Sequence, residues 1–452
     1  MAAATRARTA RSASGRRTAG GAGAPAPAPA PPAAGGATGA APSTVTPRPL
    51  ARPGSLGPLR LQQLVLVEVA AAIVLVAWVI DELMLVPAAV VGVVLVLLAV
   101  VSRHQQPIPE WLATALALRG RQRRASQPVD AGTDPGFTPV VECEPALRTY
   151  TYTDRDRRAV GMVGDGTFLT AVLQVEAVDA PLRPQRAQRP LPLALLRDAL
   201  DVDGILLESV QVVQHAMTAP APHLPAQAVA VRNYGPLQEH TGAPSTRLTW
   251  VALKFDPELC PEAVEARGGG LAGAQRCVLR TADQLASRLQ GAGFGVTLLT
   301  EEALTAAIST AASVNPVATA QARQTNTLSR RTVESSRTWR CDDRWHTTYW
   351  VGRWPQLGPS AAPLPHLAAL LTSLPALATT LSLTLRRGGT QGGRHAPTVS
   401  GHIRITGRSA DELVQIRREL QRATRGVRVG LVRLDREQVP GVLATLPLGG
   451  TH

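Results

Sequence analysis

Two apolar runs lie almost end to end near the start of the chain, "LQQLVLVEVAAAIVLVAWVI" (61–80) and "LMLVPAAVVGVVLVLLAVV" (83–101), with only Asp81 and Glu82 between them. Each run is about 20 residues, the length that crosses a hydrocarbon core of about 30 Å as a helix. One continuous helix would strand both carboxylates in lipid, at about 2.5–3.5 kcal/mol for an Asp. Two helices turning at Asp81-Glu82 would put both in water, so the expectation is an N-terminal two-helix transmembrane hairpin over 61–101. Trp78 lies beside that turn, where an indole favours the headgroup zone, and Pro87 falls in the first turns of the second run, where it is tolerated. Arg60 precedes the first run, Arg103 follows the second, and the turn holds no Lys or Arg. Positive charge then predicts both termini on the cytoplasmic side. Glu68, inside the first run, fits either an interface or a contact with a partner helix.

The flanks have different characters. Residues 1–55 are Ala, Pro, Gly, Ser and Arg and offer nothing to bury, which predicts a disordered basic tail. So long a charged leader, followed by a second apolar run, does not read as a signal peptide. Residues 107–124, "PIPEWLATALALRGRQRR", open with Pro109 and Glu110 and close on arginines, as a helix prefers. With Trp111, Leu112 and Leu116 on one side, the segment reads as an interfacial helix on the inner leaflet or as a helix packed on protein. Residues 125–139 read as a linker.

From residue 140 the chain alternates strand-like and helix-like stretches, which predicts an α+β region. The order strand–helix–strand–strand–helix–strand–helix occurs over 140–313 and again over 335–447, with 314–334 as a linker, and suggests an internal duplication. Ser409 and Glu412 have capping-box spacing.

Charge and motifs exclude several function classes. The formal charge is +14, but eight arginines and no acid lie in residues 1–60, so the basicity belongs mainly to the tail and suits anionic lipid better than nucleic acid. Lys254 is the only lysine and follows "VAL", not a glycine-rich turn, so a Walker-type ATPase is excluded. HExxH, GxSxG and CxxC are absent. "GMVGDG" (161–166) departs from GxGxxG and reads as a hairpin turn. The densest polar cluster is "RCDDRWH" (340–346), where Asp342, Asp343 and His346 are weak metal-ligand candidates. A polar turn between two strands explains the same residues. The aromatics Trp345, Tyr349, Trp350 and Trp354 read as core and interface residues. Catalytic residues, cofactors and a metal site are not expected, and the four scattered cysteines read as reduced thiols.

A basic tail, the apolar pair, "PIPEWLATALALRGR", "DRRAVGMVGDGTFLTAVLQVE" and "RCDDRWHTTYWVGRWP", in this order, resemble the EccE family, a type VII (ESX) secretion component of actinobacteria. The resemblance covers roughly residue 56 to the end. It implies a non-enzymatic, non-motor structural subunit of a large inner-membrane hetero-oligomer with EccB, EccC and EccD, supporting export of WXG100-type substrates. It implies no catalytic residues. The cytosolic domain of the family has been likened to a glycosyltransferase fold. A membrane-anchored glycosyltransferase-like or nucleotide-binding protein using Asp342 and Asp343 is therefore the alternative reading.

Overall fold

The computed structural model describes residues 61–80, 85–100, 108–125, 132–177, 190–218, 246–325, 329–355, 363–388 and 397–450, with short pieces between them. The basic tail, the Asp81-Glu82 turn and the side chains of Arg60, Arg103 and Trp111 lie outside the described residues.

The transmembrane hairpin expected over 61–80 and 83–101 is overturned. Among the described residues no helix is long and apolar enough to cross a membrane. Both runs are helices, α1 (Leu61–Ile80) and α2 (Leu85–Val100), and they pack together through small residues. Ala70, Ala77 and Ala88 are buried, and a Cβ on Gly92 would lie 3.1 Å from Val74 Cγ2. The second helix has 16 residues, so it rises about 24 Å and falls short of a hydrocarbon core of about 30 Å. Gln62, Gln63 and Glu68 interrupt the first. Trp78 is exposed, as are Leu75, Val79 and Val86.

Helix α3 (Ile108–Arg124) docks by its last turn onto the α+β body. Arg121 Nε and Nη2 donate to Glu334 Oε2 and Oε1 at 2.9 and 3.0 Å, and Gln122 Nε2 donates to the Glu334 carbonyl at 3.1 Å.

The strands of the body are β1 (Arg148–Thr153), β2 (Ala159–Gly164), β3 (Leu169–Ala177), β4 (Ser209–Met217), β5 (Thr246–Phe255), β6 (Phe294–Leu298), β7 (Thr332–Glu334), β8 (Trp339–Cys341), β9 (Arg344–Arg353), β10 (Ala378–Arg386), β11 (Thr398–Gly407) and β12 (Gly430–Arg433). Its helices of six residues or more are α4 (Leu193–Asp198), α5 (Gly270–Gly291), α6 (Glu301–Ala311), α7 (Pro316–Thr325), α8 (Leu364–Thr372), α9 (Ala410–Gly426) and α10 (Gln438–Thr445). With the two-residue strand Arg48–Pro49 beside β11, these twelve strands form a 13-stranded sheet in the order β7-β8-β9-β11-β10-β4-β5-β3-β2-β1, with β6 on β3 and β12 on β9.

This order contains the same unit twice. The run β3-α4-β4-β5-α5-β6 pairs as β6-β3-β5-β4, and the run β9-α8-β10-β11-α9-β12 pairs as β12-β9-β11-β10. Each is a βαββαβ unit of ferredoxin-like connectivity. In each, a short hairpin arm (β1-β2 or β7-β8) leads in and a further helix (α6 or α10) follows. The units join through β4 and β10, antiparallel, from Ser209 opposite Arg386 to Met217 opposite Ala378.

The join is covered on both faces, so β4 and β10 are buried almost throughout. On one face Val210, Val212 and Leu385 pack under α4 and α5, while Leu381 and Leu383 pack under α8 and α9. Helix α9 buries Leu413, Ile416 and Leu420, an apolar stripe at helical spacing. At its start Ser409 Oγ accepts from the Glu412 N–H and Glu412 Oε2 accepts from the Arg408 N–H, a capping arrangement worth about 1 kcal/mol.

The opposite face, under α6 and α10, is polar at the join: Ser209, Gln211 and His215 on β4, and Thr380, Ser382 and Thr384 on β10, are all buried. At one end the C-terminal residues fill the space over it. Gly449 N donates to Gln211 Oε1 at 2.8 Å, Ser209 Oγ donates to the Gly449 carbonyl, and Thr170 Oγ1 donates to the Leu448 carbonyl at 3.0 Å.

Candidate functional site

The "RCDDRWH" cluster forms the hairpin between β8 and β9. Cys341 pairs with Arg344, so Asp342 and Asp343 are the two-residue turn. Asp342 has φ 54°, a left-handed conformation that Asp tolerates through its short polar side chain.

The three candidate ligands do not converge. Asp342 is buried, and Arg331 grips it with Nε on Oδ1 and Nη2 on Oδ2, both at 2.8 Å. Its Oδ2 also accepts from the Asn315 N–H at 3.0 Å. Asp343 is largely exposed and accepts from Asn315 Nδ2 at 2.9 Å. His346 is fully buried, 4.8 Å from the Trp339 ring and with Nδ1 3.0 Å from Thr406 Oγ1. Among the described residues no group of three or more His, Cys, Asp and Glu could hold a metal ion. A carboxylate already committed to a buried bidentate arginine is an anchor. Burial opposes the charge on Arg331, and the bond to Asp342 outweighs it, leaving the guanidinium pKa raised.

All four cysteines are free. Burial raises the thiols of Cys143 and Cys341, so neither is a thiolate nucleophile near neutral pH.

A different set of groups gathers behind the hairpin. A cleft of about 1160 Å³ opens over one end of the β4–β10 join and is lined by α6, α7, His215, Ser313 and Arg344. Ser313 (φ 56°) ends the turn after α6. Arg344 Nη1 donates to its carbonyl at 2.8 Å, and the hydroxyl of Ser313 is buried with no hydrogen-bond partner. His215 Nδ1 lies 2.8 Å from Thr380 Oγ1. Thr380 Oγ1 also accepts from Arg404 Nη2 at 3.2 Å, and that same nitrogen donates to the Ala311 carbonyl. Arg404 is 0% exposed, and its Nε and Nη1 have no partner, nor does Nε2 of His346.

The electrostatics follow from this packing. Burial, then the charges of Arg404 and Arg344, push His215 down to about 3, and burial and the same arginines also lower His346, so both imidazoles are neutral donors or acceptors near pH 7. Burial pushes the Arg404 guanidinium down to about 9.

Sequence reasoning missed His215, Ser313, Arg344 and Arg404 as a group. They lie on separate elements, and no short motif joins them. One local signal existed: β10 alternates Thr380-Leu381-Ser382-Leu383-Thr384-Leu385, so a strand in mid-sheet must bury a polar face.

Residues 243–351 match the model of EccE, a type VII ESX secretion system translocon family. The matched segment runs from β5 to most of β9 and includes Ser313, the Asp342-Asp343 turn and Arg344. Among curated proteins, the chain is 25% identical over 211 residues to the ESX-1 secretion system protein EccE1 of Mycobacterium tuberculosis H37Rv, covering 44% of this chain and 40% of that protein. It is 24% identical over 215 residues to its namesake in Mycolicibacterium smegmatis, covering 45% and 40%. The alignments thus span about two fifths of the length of these relatives. Both comparisons agree with the resemblance carried by the sequence.

Proposed function

We propose that this EccE-family chain is a structural, non-motor subunit of the type VII secretion complex at the plasma membrane, and that it supports export of WXG100-type substrates. Its partners in this reading are EccB-, EccC- and EccD-type subunits, and its α+β body faces the cytoplasm. One observation carries the reading. The family match runs through β5 to β9, which crosses from the first βαββαβ unit into the second. That segment includes α6, which packs over the shared sheet, α7, and the β8–β9 hairpin, which is part of the sheet. In this reading the single sheet built from both units is the surface on which neighbouring subunits are held. The Asp342-Asp343 pair, taken up by Arg331 and Asn315, gives little support to a transferase.

The test is genetic. Deleting the gene should abolish export of WXG100-type substrates from its own cells, and the intact chain supplied in trans should restore it. Undiminished export in the deletion strain would contradict the proposal.

A further inference from the structure

We propose that the cleft at the β4–β10 join binds a phosphate group, held by Ser313, His215 and Arg344 on its floor with Arg404 directly behind them.

Among the described residues, the most enclosed charged side chains include the Arg331–Asp342 pair, Glu142, Lys254, Glu334 and Arg404. Lys254 has the Glu208 carboxylate at 2.9 Å, and Glu334 has Arg121. Glu142 accepts from the backbone N–H groups of Arg331 and Thr332 and from the Thr332 hydroxyl. Arg404 has only a carbonyl and a hydroxyl, both on one nitrogen. A fully buried guanidinium without a counter-charge is costly, and an anion nearby removes that cost. Arg344 adds a second cation whose nearest carboxylate, Asp343, is 3.9 Å away and faces solvent.

Hydrogen bonding at the cleft is also incomplete. The Ser313 hydroxyl lines the cleft, is buried and has no partner. A tetrahedral oxyanion accepts from several donors at once, which a hydroxyl, a neutral imidazole and a guanidinium supply together. The acids of the cleft are engaged or turned outward. Asp134 pairs with Arg323 at 2.9 Å, Glu301 accepts from Thr149 and Thr151, and Glu302 is exposed.

The two ends of the join also differ. At the far end of the β4–β10 join, the C-terminal residues Leu448–Gly450 occupy the polar face and satisfy Ser209 and Gln211. At the His215 end that space is the cleft, where the Ser313 hydroxyl has no partner. A volume of about 1160 Å³ is at or above the upper end of small-ligand sites, about 300–1,000 Å³, so the molecule bearing the phosphate can be sizeable.

The experiment is thermal unfolding and titration calorimetry of the purified full chain with inorganic phosphate at constant ionic strength. Parallel arms use ADP and a short-chain phosphatidic acid. The proposal predicts a rise in Tm of about 3–8 °C at a 100-fold excess over Kd. Ser313→Ala should weaken phosphate binding about tenfold while leaving the unliganded Tm nearly unchanged. Arg404→Met should abolish the response. Tightest binding of ADP assigns a soluble phosphate ester, and tightest binding of phosphatidic acid assigns a lipid headgroup. No response to any of the three at millimolar concentration, or an equal response in wild type and Ser313→Ala, would overturn the proposal.

Discussion

Replacing Asp342 by alanine is expected to destabilise the protein by about 3–5 kcal/mol, because it leaves a buried arginine without its carboxylate. Arg331 is enclosed: Nη1 donates to the Pro135 carbonyl at 2.6 Å, Nη2 to Thr319 Oγ1 at 3.0 Å, and its side chain is 8% exposed. Asp342 supplies both bonds that neutralise it and also holds the Asn315 N–H at the entry to α7. The substitution therefore loosens α7, the β8–β9 hairpin and the segment before Thr138 together. Alanine also fits the left-handed turn position less well than Asp. A fall in Tm of about 6–15 °C in calorimetry checks this. Asp342→Asn should cost less, since it keeps the turn conformation and one acceptor. If Asp342 were a metal ligand in an empty site, removing it would leave the unliganded protein unchanged or more stable, and that result would contradict the assignment.

The second large effect is expected at Gly161, the first glycine of "GMVGDG". It lies in β2, with its N–H donating to the Leu299 carbonyl at 2.9 Å. A Cβ there would lie 2.4 Å from Glu301 N and 2.5 Å from both Glu301 Cα and Thr300 C. These are backbone atoms at the capped start of α6, where Ala303 N donates to Thr300 Oγ1, and they cannot swing aside. Gly161→Ala should push α6 off the sheet and cost about 3 kcal/mol or more. Hydrogen exchange checks it: amides of α6 should lose protection while those of α9, on the other face, keep theirs. Equal protection in both helices would show that the sheet yields instead.

These two positions show what was legible in the sequence. Long amphipathic helices were: "LAGAQRCVLRTADQLASRLQGAG" forms α5, and Ser409 and Glu412 cap α9 as their spacing suggests. So was the turn character of "CDD". The stretch 314–334 was harder, because α7 buries none of its residues and so has no apolar period to read. Gly161 needs to be glycine only because α6 crosses it, a contact between segments about 140 residues apart that local patterning does not encode. The apolar pair misled in a definite way. Composition matched a bilayer span, but α2 starts at Leu85 and ends at Val100, two residues inside the expected start and one inside the expected end, and what remains is too short. The cleft was illegible for a related reason: His215, Ser313, Arg344 and Arg404 come together only once β4 pairs with β10.

Membership of the secretion complex is the central proposal. The most direct measurement is a mild-detergent pull-down of the tagged full chain from its own membranes, read by mass spectrometry. The account predicts stoichiometric recovery of EccB-, EccC- and EccD-type subunits, with the Asp342→Ala and Gly161→Ala variants recovering less. Recovery of the chain alone, under conditions in which EccC- and EccD-type subunits stay together, would contradict it.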